Sequence, residues 1–110
     1  MGYVHKNLAE GKWFEFSEAE QLGNIGSEVN RIISWRAKGH EEPSTNAFYR
    51  AVELLDLTKS DPKWKGRLKE ICRAKVFLCH AFFGTPVYDV DLEYLNKYFM
   101  WFTVIARVRR

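Results

Sequence analysis

The stretch Pro62 to Gly84, PKWKGRLKEICRAKVFLCHAFFG, carries a helix start at one end and a helix stop at the other. Ser60 or Asp61 can cap it, Pro62 suits a first helical position whose N–H needs no partner, and Gly84 followed by Thr85-Pro86 ends it. At about 100° per residue, Trp64, Leu68, Ile71, Cys72, Leu78, Cys79 and Phe82 fall on one broad face. Lys65, Lys69, Arg73 and His80 fall on another. The spacing predicts a helix over 62–83 that supplies core on one side and charge on the other.

The same period runs outward in both directions. Upstream, Ser17 and Glu20 make a capping box, and Leu22, Ile25, Val29, Ile32 and Ile33 form a stripe that Gly39 stops, which predicts a helix near 18–38. Gly23 and Gly26 lie beside that stripe. A helical glycine costs about 1 kcal/mol against alanine, so a close approach by another helix is the expected reason for them. After His40-Glu41-Glu42-Pro43, Ser44 or Thr45 is expected to cap a helix near 46–58, with Ala47, Phe48, Ala51, Leu54, Leu55 and Thr58 inward and Tyr49, Glu53 and Asp56 outward. Downstream, Asp89 or Asp91 is expected to cap a helix near 91–108, whose core stripe is Leu92, Leu95, Phe99, Phe102 and Ala106.

That last helix carries a second stripe. Tyr94, Tyr98, Trp101, Ile105 and Val108 lie roughly opposite the core residues, and no member of a four-helix bundle is encircled. The second stripe is therefore expected to meet another copy of the protein, with Tyr94, Tyr98, Trp101 and Ile105 as the oligomer interface, or else an N-terminal arm bearing Trp13, Phe14 and Phe16. Residues 1–16 are read as that arm, extended over the bundle, and residues 17–110 as the bundle domain. The fold expected is all-α, an antiparallel up-and-down four-helix bundle with an N-terminal extended arm, because connections this short set successive helices antiparallel.

Composition narrows the function classes. A chain of 110 residues is one domain. Its net charge of +3 falls far short of what phosphate-backbone binding alone announces. Four Trp, five Tyr and eight Phe point to a bulky core or one adhesive face. Cys72 and Cys79, seven apart on one helix, have Cα atoms about 10 Å apart, too far for a disulfide, which suits a reduced, cytoplasmic protein. No signal peptide or membrane-spanning run is read, so no membrane association is expected.

Most catalytic signatures are missing. His5, His40 and His80 are scattered and the cysteines lack a CxxC partner, so no metal and no cofactor are expected. Neither GxGxxG nor GxxxxGK[ST] nor GxSxG occurs. Arg73 and His80 remain, two turns apart and within about 20° of each other. A guanidinium on a scissile phosphate and an imidazole as general acid or base would serve RNA cleavage. Lys65 and Lys69 would hold flanking phosphates, as nucleic-acid-binding residues. A solvated basic face with an incidental histidine accounts for the same spacing more simply. Lys75, within the apolar face, is expected to snorkel outward or to meet a carboxylate, Glu28 or Glu53.

Arg73-x6-His80 late in a bundle helix resembles the R-x4–6-H motif of HEPN domains, many of which are dimeric ribonucleases or toxin components. Separately, QLGNIGSEVNRIISW, AFYRAVELLDLT, RLKEICRAK and KYFMWFTVIAR resemble a bacterial family of small uncharacterised helical proteins, over most of residues 17–107. In that family the place of His80 tends to hold an acidic residue, so the histidine here is a departure. The leading expectation is a bacterial helical bundle that works by self-association or by binding a protein partner. The competing one is an HEPN-like ribonuclease, or the RNA-binding component of a toxin–antitoxin system.

Overall fold

A computed structural model describes residues 11–84 and 91–108; within the last stretch, the side chains of 102, 103 and 105–108 lie outside the description. The described residues form four α-helices and no strand: α1 (Glu18–Ala37), α2 (Glu41–Lys59), α3 (Leu68–Phe83) and α4 (Leu92–Val108). Two 3-10 turns, Lys12–Glu15 and Pro62–Trp64, precede α1 and α3. The chain is an all-α, up-and-down four-helix bundle, as the periodicity requires. Among the described residues, no helix is long and apolar enough to cross a membrane.

The helix ends follow local chemistry. Ser17 accepts from the Glu20 backbone at 3.1 Å while the Glu20 carboxylate accepts from the Ser17 N–H at 3.0 Å, which completes the capping box. Gly39 (φ 77°) and Gly84 (φ 69°) end α1 and α3 in the left-handed region that favours glycine. Asp91 caps α4, accepting from Tyr94 N–H at 2.8 Å.

Two boundaries differ from expectation. Helix α2 starts at Glu41, with His40 at its N-cap, not near 46. Pro43 sits in the first turn, where a missing N–H removes no intrahelical bond, so it does not delay the helix. Ser44 therefore does not cap; it is buried and donates to the Ile32 carbonyl at 3.3 Å. The helix expected over 62–83 is broken. Asp61 caps only the turn Pro62–Trp64, Gly66 takes φ 91°, and α3 begins afresh at Leu68.

The break resets the phase of α3. Ile71, Ala74 and Leu78 are buried and Phe82 packs against them, whereas Leu68 and Cys72, assigned to the core by a continuous helix, are exposed. On α2 all six expected inner residues are buried, and on α4 Leu92, Leu95 and Phe99 are. Phe102 and Ala106 lie outside the described side chains.

Helix α1 packs most extensively on α4 and on α2, while α3 packs on α2 and only lightly on α4. The α1–α4 contact is close because of Gly26. A Cβ there would stand 2.4 Å from the Phe99 Cβ and 3.2 Å from its carbonyl carbon. The close approach expected for the α1 glycines is thus realised at Gly26.

Residues 1–10 of the expected arm lie outside the described residues. The remainder is not extended. Lys12–Glu15 is a 3-10 turn, and Trp13 is 1% exposed in the core. Its indole N–H donates to Thr58 Oγ1 at 3.0 Å, and its carbonyl accepts from Gln21 Nε2 at 3.0 Å. Gln21 also donates to Asp61 Oδ2 at 2.7 Å and accepts from the Trp64 indole at 2.7 Å. Lys63 completes the network, its Nζ 2.7 Å from Asp61 Oδ2 and 3.0 Å from the Phe14 carbonyl. Burial pushes the Asp61 carboxyl up, but hydrogen bonds from the Lys63 side chain and backbone and from Gln21, with the Lys63 charge, hold it below its ordinary value.

Two outcomes follow from this packing. Gly26→Ala should destabilise the fold by about 1–3 kcal/mol through overpacking, outweighing the roughly 1 kcal/mol helix-propensity gain. Asn30→Ala, exposed on the same helix, should be neutral or stabilising in the same urea titration; equal stability of the two variants refutes the tight α1–α4 contact. Asp61 stabilises the fold wherever it is ionised, since its folded-state value is the lower one. That stability is fully present above the unfolded value near pH 4 and is lost as pH falls through the lowered value. Asp61→Asn should therefore be less stable at neutral pH and lose less stability than wild type between pH 5 and pH 2.5; parallel pH profiles would show that Asp61 is not the group responsible.

Candidate functional site

Because α3 meets α4 only lightly, a cleft of about 470 Å³ opens between them, lined by Arg67, Glu70, Arg73, Ala74, Phe77, Tyr94, Leu95 and Tyr98. Arg67 is committed within the fold. Its guanidinium lies 4.6 Å from the Trp64 ring centroid and pairs with Glu18 at 2.5 Å and Glu70 at 3.1 Å. Arg73 is exposed and, among the described residues, makes no ion pair. The cleft thus presents one uncommitted cation beside two tyrosines. Burial pushes the Tyr98 hydroxyl up, and the Glu70 charge adds to that, so Tyr98 remains a neutral phenol at physiological pH.

The charged residues singled out in the sequence are not gathered into one site. Lys65 belongs to the turn before α3, separated from it by the Gly66 break, so it does not extend the Lys69–Arg73 row as a continuous helix would require. Lys69 is exposed on the first turn of α3. His80 is half-buried and does not line the cleft that Arg73 faces. The two residues keep the helical phase expected of them but open on different surroundings.

Lys75 does find a carboxylate, but a different one. Its Nζ lies 2.8 Å from Asp56 Oδ1 on α2. Glu28, 4% exposed, is taken instead by Arg50 Nε at 2.7 Å and by Arg31. A fully buried carboxylate recruits the nearest guanidinium, which leaves the half-exposed lysine to a surface partner. Cys72 and Cys79 are both unpaired. Burial pushes the Cys79 thiol up, against the opposing charge of Lys75, so it is no activated nucleophile. Among the described residues no group of three or more His, Cys, Asp or Glu side chains is placed to hold a metal ion.

The other surface set apart is the outer face of α4. Tyr94 is 61% exposed, Tyr98 42% and Trp101 66%, and Val104 beside them is 49% exposed. The side chain of Ile105 lies outside the description. The described part of the N-terminal segment does not cover this face, since Trp13 is held instead between α1 and α2. Tyr94 and Tyr98 belong both to this stripe and to the cleft, so the two form one continuous surface.

Sequence reasoning missed the cleft and the exposed row Leu68, Cys72, Val76 and Phe83 on α3. The signal for both was Gly66, a helix breaker inside an otherwise helical pattern. Comparison of the chain with protein-family models, with curated proteins and with solved structures finds no match.

Proposed function

We propose that this is a bacterial, cytoplasmic helical-bundle protein that acts by association through the outer face of α4 rather than by catalysis. The observation that carries the reading is the row Tyr94, Tyr98 and Trp101, three large aromatic side chains exposed on one stripe of a helix whose opposite side is already buried. Aromatic residues are enriched at the centres of interfaces because they bury large area at low entropic cost. Ile105 continues the row in sequence. The two unpaired thiols suit a reducing compartment.

The chain is expected to be dimeric or larger by light scattering at tens of micromolar, and Trp101→Glu should yield monomers with an unchanged far-UV spectrum. Wild type that is monomeric at that concentration removes the reading.

An HEPN-like ribonuclease, or a nucleic-acid-binding component of a toxin–antitoxin pair, is the second reading. It is favoured by Arg73, an exposed guanidinium that lines the cleft and makes no ion pair among the described residues, with Lys69 one turn away. A positioned general acid or base contributes about 10²–10⁴ in rate. RNA cleavage lost in both His80→Ala and Arg73→Ala, with the fold intact, would establish the ribonuclease; purified wild type that neither cuts nor binds RNA removes the whole reading.

A further inference from the structure

The aromatic row on α4 has a symmetry of its own. Tyr94, Tyr98, Trp101 and Ile105 are spaced 4, 3 and 4 residues apart, so the row reads identically from either end about a midpoint between residues 99 and 100. Two copies of such a row match when the helices run in opposite directions: Tyr98 then comes level with the partner's Trp101, and Tyr94 with the partner's Ile105. A parallel pairing stacks each aromatic on its own twin instead.

Charge along the helix selects the same direction. The segment entering α4 carries Asp89, Asp91 and Glu93, and the segment leaving it carries Arg107, Arg109 and Arg110. Antiparallel apposition sets each acidic end beside the partner's basic end and opposes the two macrodipoles. Parallel apposition gathers like charges at both ends, and like charges across an interface suppress association. Glu93 is exposed and available at the rim.

We infer that the occupant of the α4 face is a second copy of this chain, its α4 packed antiparallel on the first across a two-fold axis that crosses α4 between Tyr98 and Trp101. Such an interface is isologous: the same patch serves both copies and closes the assembly at two. A 17-residue helix is about 26 Å long. A contact of that length and one helix wide lies at the small end of specific interfaces, so the dimer dissociates on dilution from micromolar concentrations. The inference rests on the association reading above and adds the partner, the direction and the register.

The test uses the full chain carrying Cys72→Ser and Cys79→Ala, so that only engineered thiols remain. Tyr94→Cys and Ile105→Cys proteins are oxidised separately and mixed, and cross-linked dimers are quantified on a non-reducing gel. The expected result is a cross-linked dimer as the major species in the mixture and background levels for either protein alone. Tyr94→Cys cross-linking to itself overturns the direction. So does the absence of any cross-link when the parent chain is dimeric by light scattering, and in both cases the association reading stands. A parent chain that is monomeric removes both.

A second measurement spares the aromatic row. A spin label at Glu93→Cys should stand apart from its mate by an axial offset of about 20 Å, thirteen residues at 1.5 Å rise. Labels side by side, with no such offset, overturn the proposal.

Discussion

One buried amide decides how the lower half of this bundle is assembled. Gln21 is fully enclosed, yet three of its hydrogen-bonding positions are filled: by the Trp13 carbonyl, the Asp61 carboxylate and the Trp64 indole. An unmet polar group in such a place costs about 1–3 kcal/mol, so the segment before α1 and the turn before α3 are both drawn to one point on α1. Thr58 extends the demand to α2, accepting from the Trp13 indole and donating to the Leu54 carbonyl at 2.7 Å. Two tryptophans are thereby sunk into the core with their N–H groups satisfied, which is the condition for burying indoles. Apolar side chains of similar volume would fill the space, but they would not say which segment belongs where.

Further along α1, Glu28 repeats the device with charge, tying α2 through Arg50, while Gly26 brings α4 into backbone contact. Helix α1 thus holds its neighbours by three different means: a hydrogen-bond network centred on an amide, an ion pair and a steric notch. Helix α3 receives none of them directly. It is attached to α2 through apolar contacts, the stacked Phe48 and Phe82 rings 4.1 Å apart, and the surface Lys75–Asp56 pair, and to α1 only near its end, where the Arg36 guanidinium lies over the Phe82 ring and donates to the Phe82 carbonyl. The cleft between α3 and α4 follows from that unequal attachment. A helix held on one side leaves a gap on the other.

Much of this was readable from the chain. The apolar faces of α1, α2 and α4 follow from period alone, and the capping box and the terminal glycines set most ends. The errors on α3 share one cause, which is that a periodic pattern does not reveal where its phase is interrupted. Gly66 lies between Trp64 and Leu68, two residues that suit one continuous stripe, and only the positive φ shows that they belong to separate elements. The buried polar residues are hidden for a related reason. Gln21, Ile25, Glu28 and Ile32 keep core spacing, but Gln and Glu are ordinarily solvated, so nothing in the sequence says that Asp61, Trp64 and Arg50 wait for them across the fold. The charged residues of α3 were legible as a row on a helix; whether they face one cleft depends on how α3 is rotated, which the break decides.

Two apolar rows are exposed among the described residues, and they are not equivalent. On α3, Leu68, Cys72 and Val76 advance by four residues each, drifting about 40° around the helix at every step, and Lys69 and Arg73 stand beside them. Such a row gives no continuous seam, and single exposed apolar side chains are normal on any surface. On α4, Tyr94, Tyr98 and Trp101 step by four and then three, which keeps them within about 60° of the helix surface, and Tyr94 and Tyr98 continue the strip into the cleft. Elsewhere in this protein the tryptophan indoles are either buried with a hydrogen-bond partner, as Trp13 and Trp64 are, or packed beneath a neighbour, as Trp35 is against His40 and Lys38. Trp101 has neither arrangement within the described residues. The fold accommodates its other three tryptophans and leaves this one two-thirds exposed, in one row with Tyr94 and Tyr98, and that row is what the proposed association through α4 accounts for.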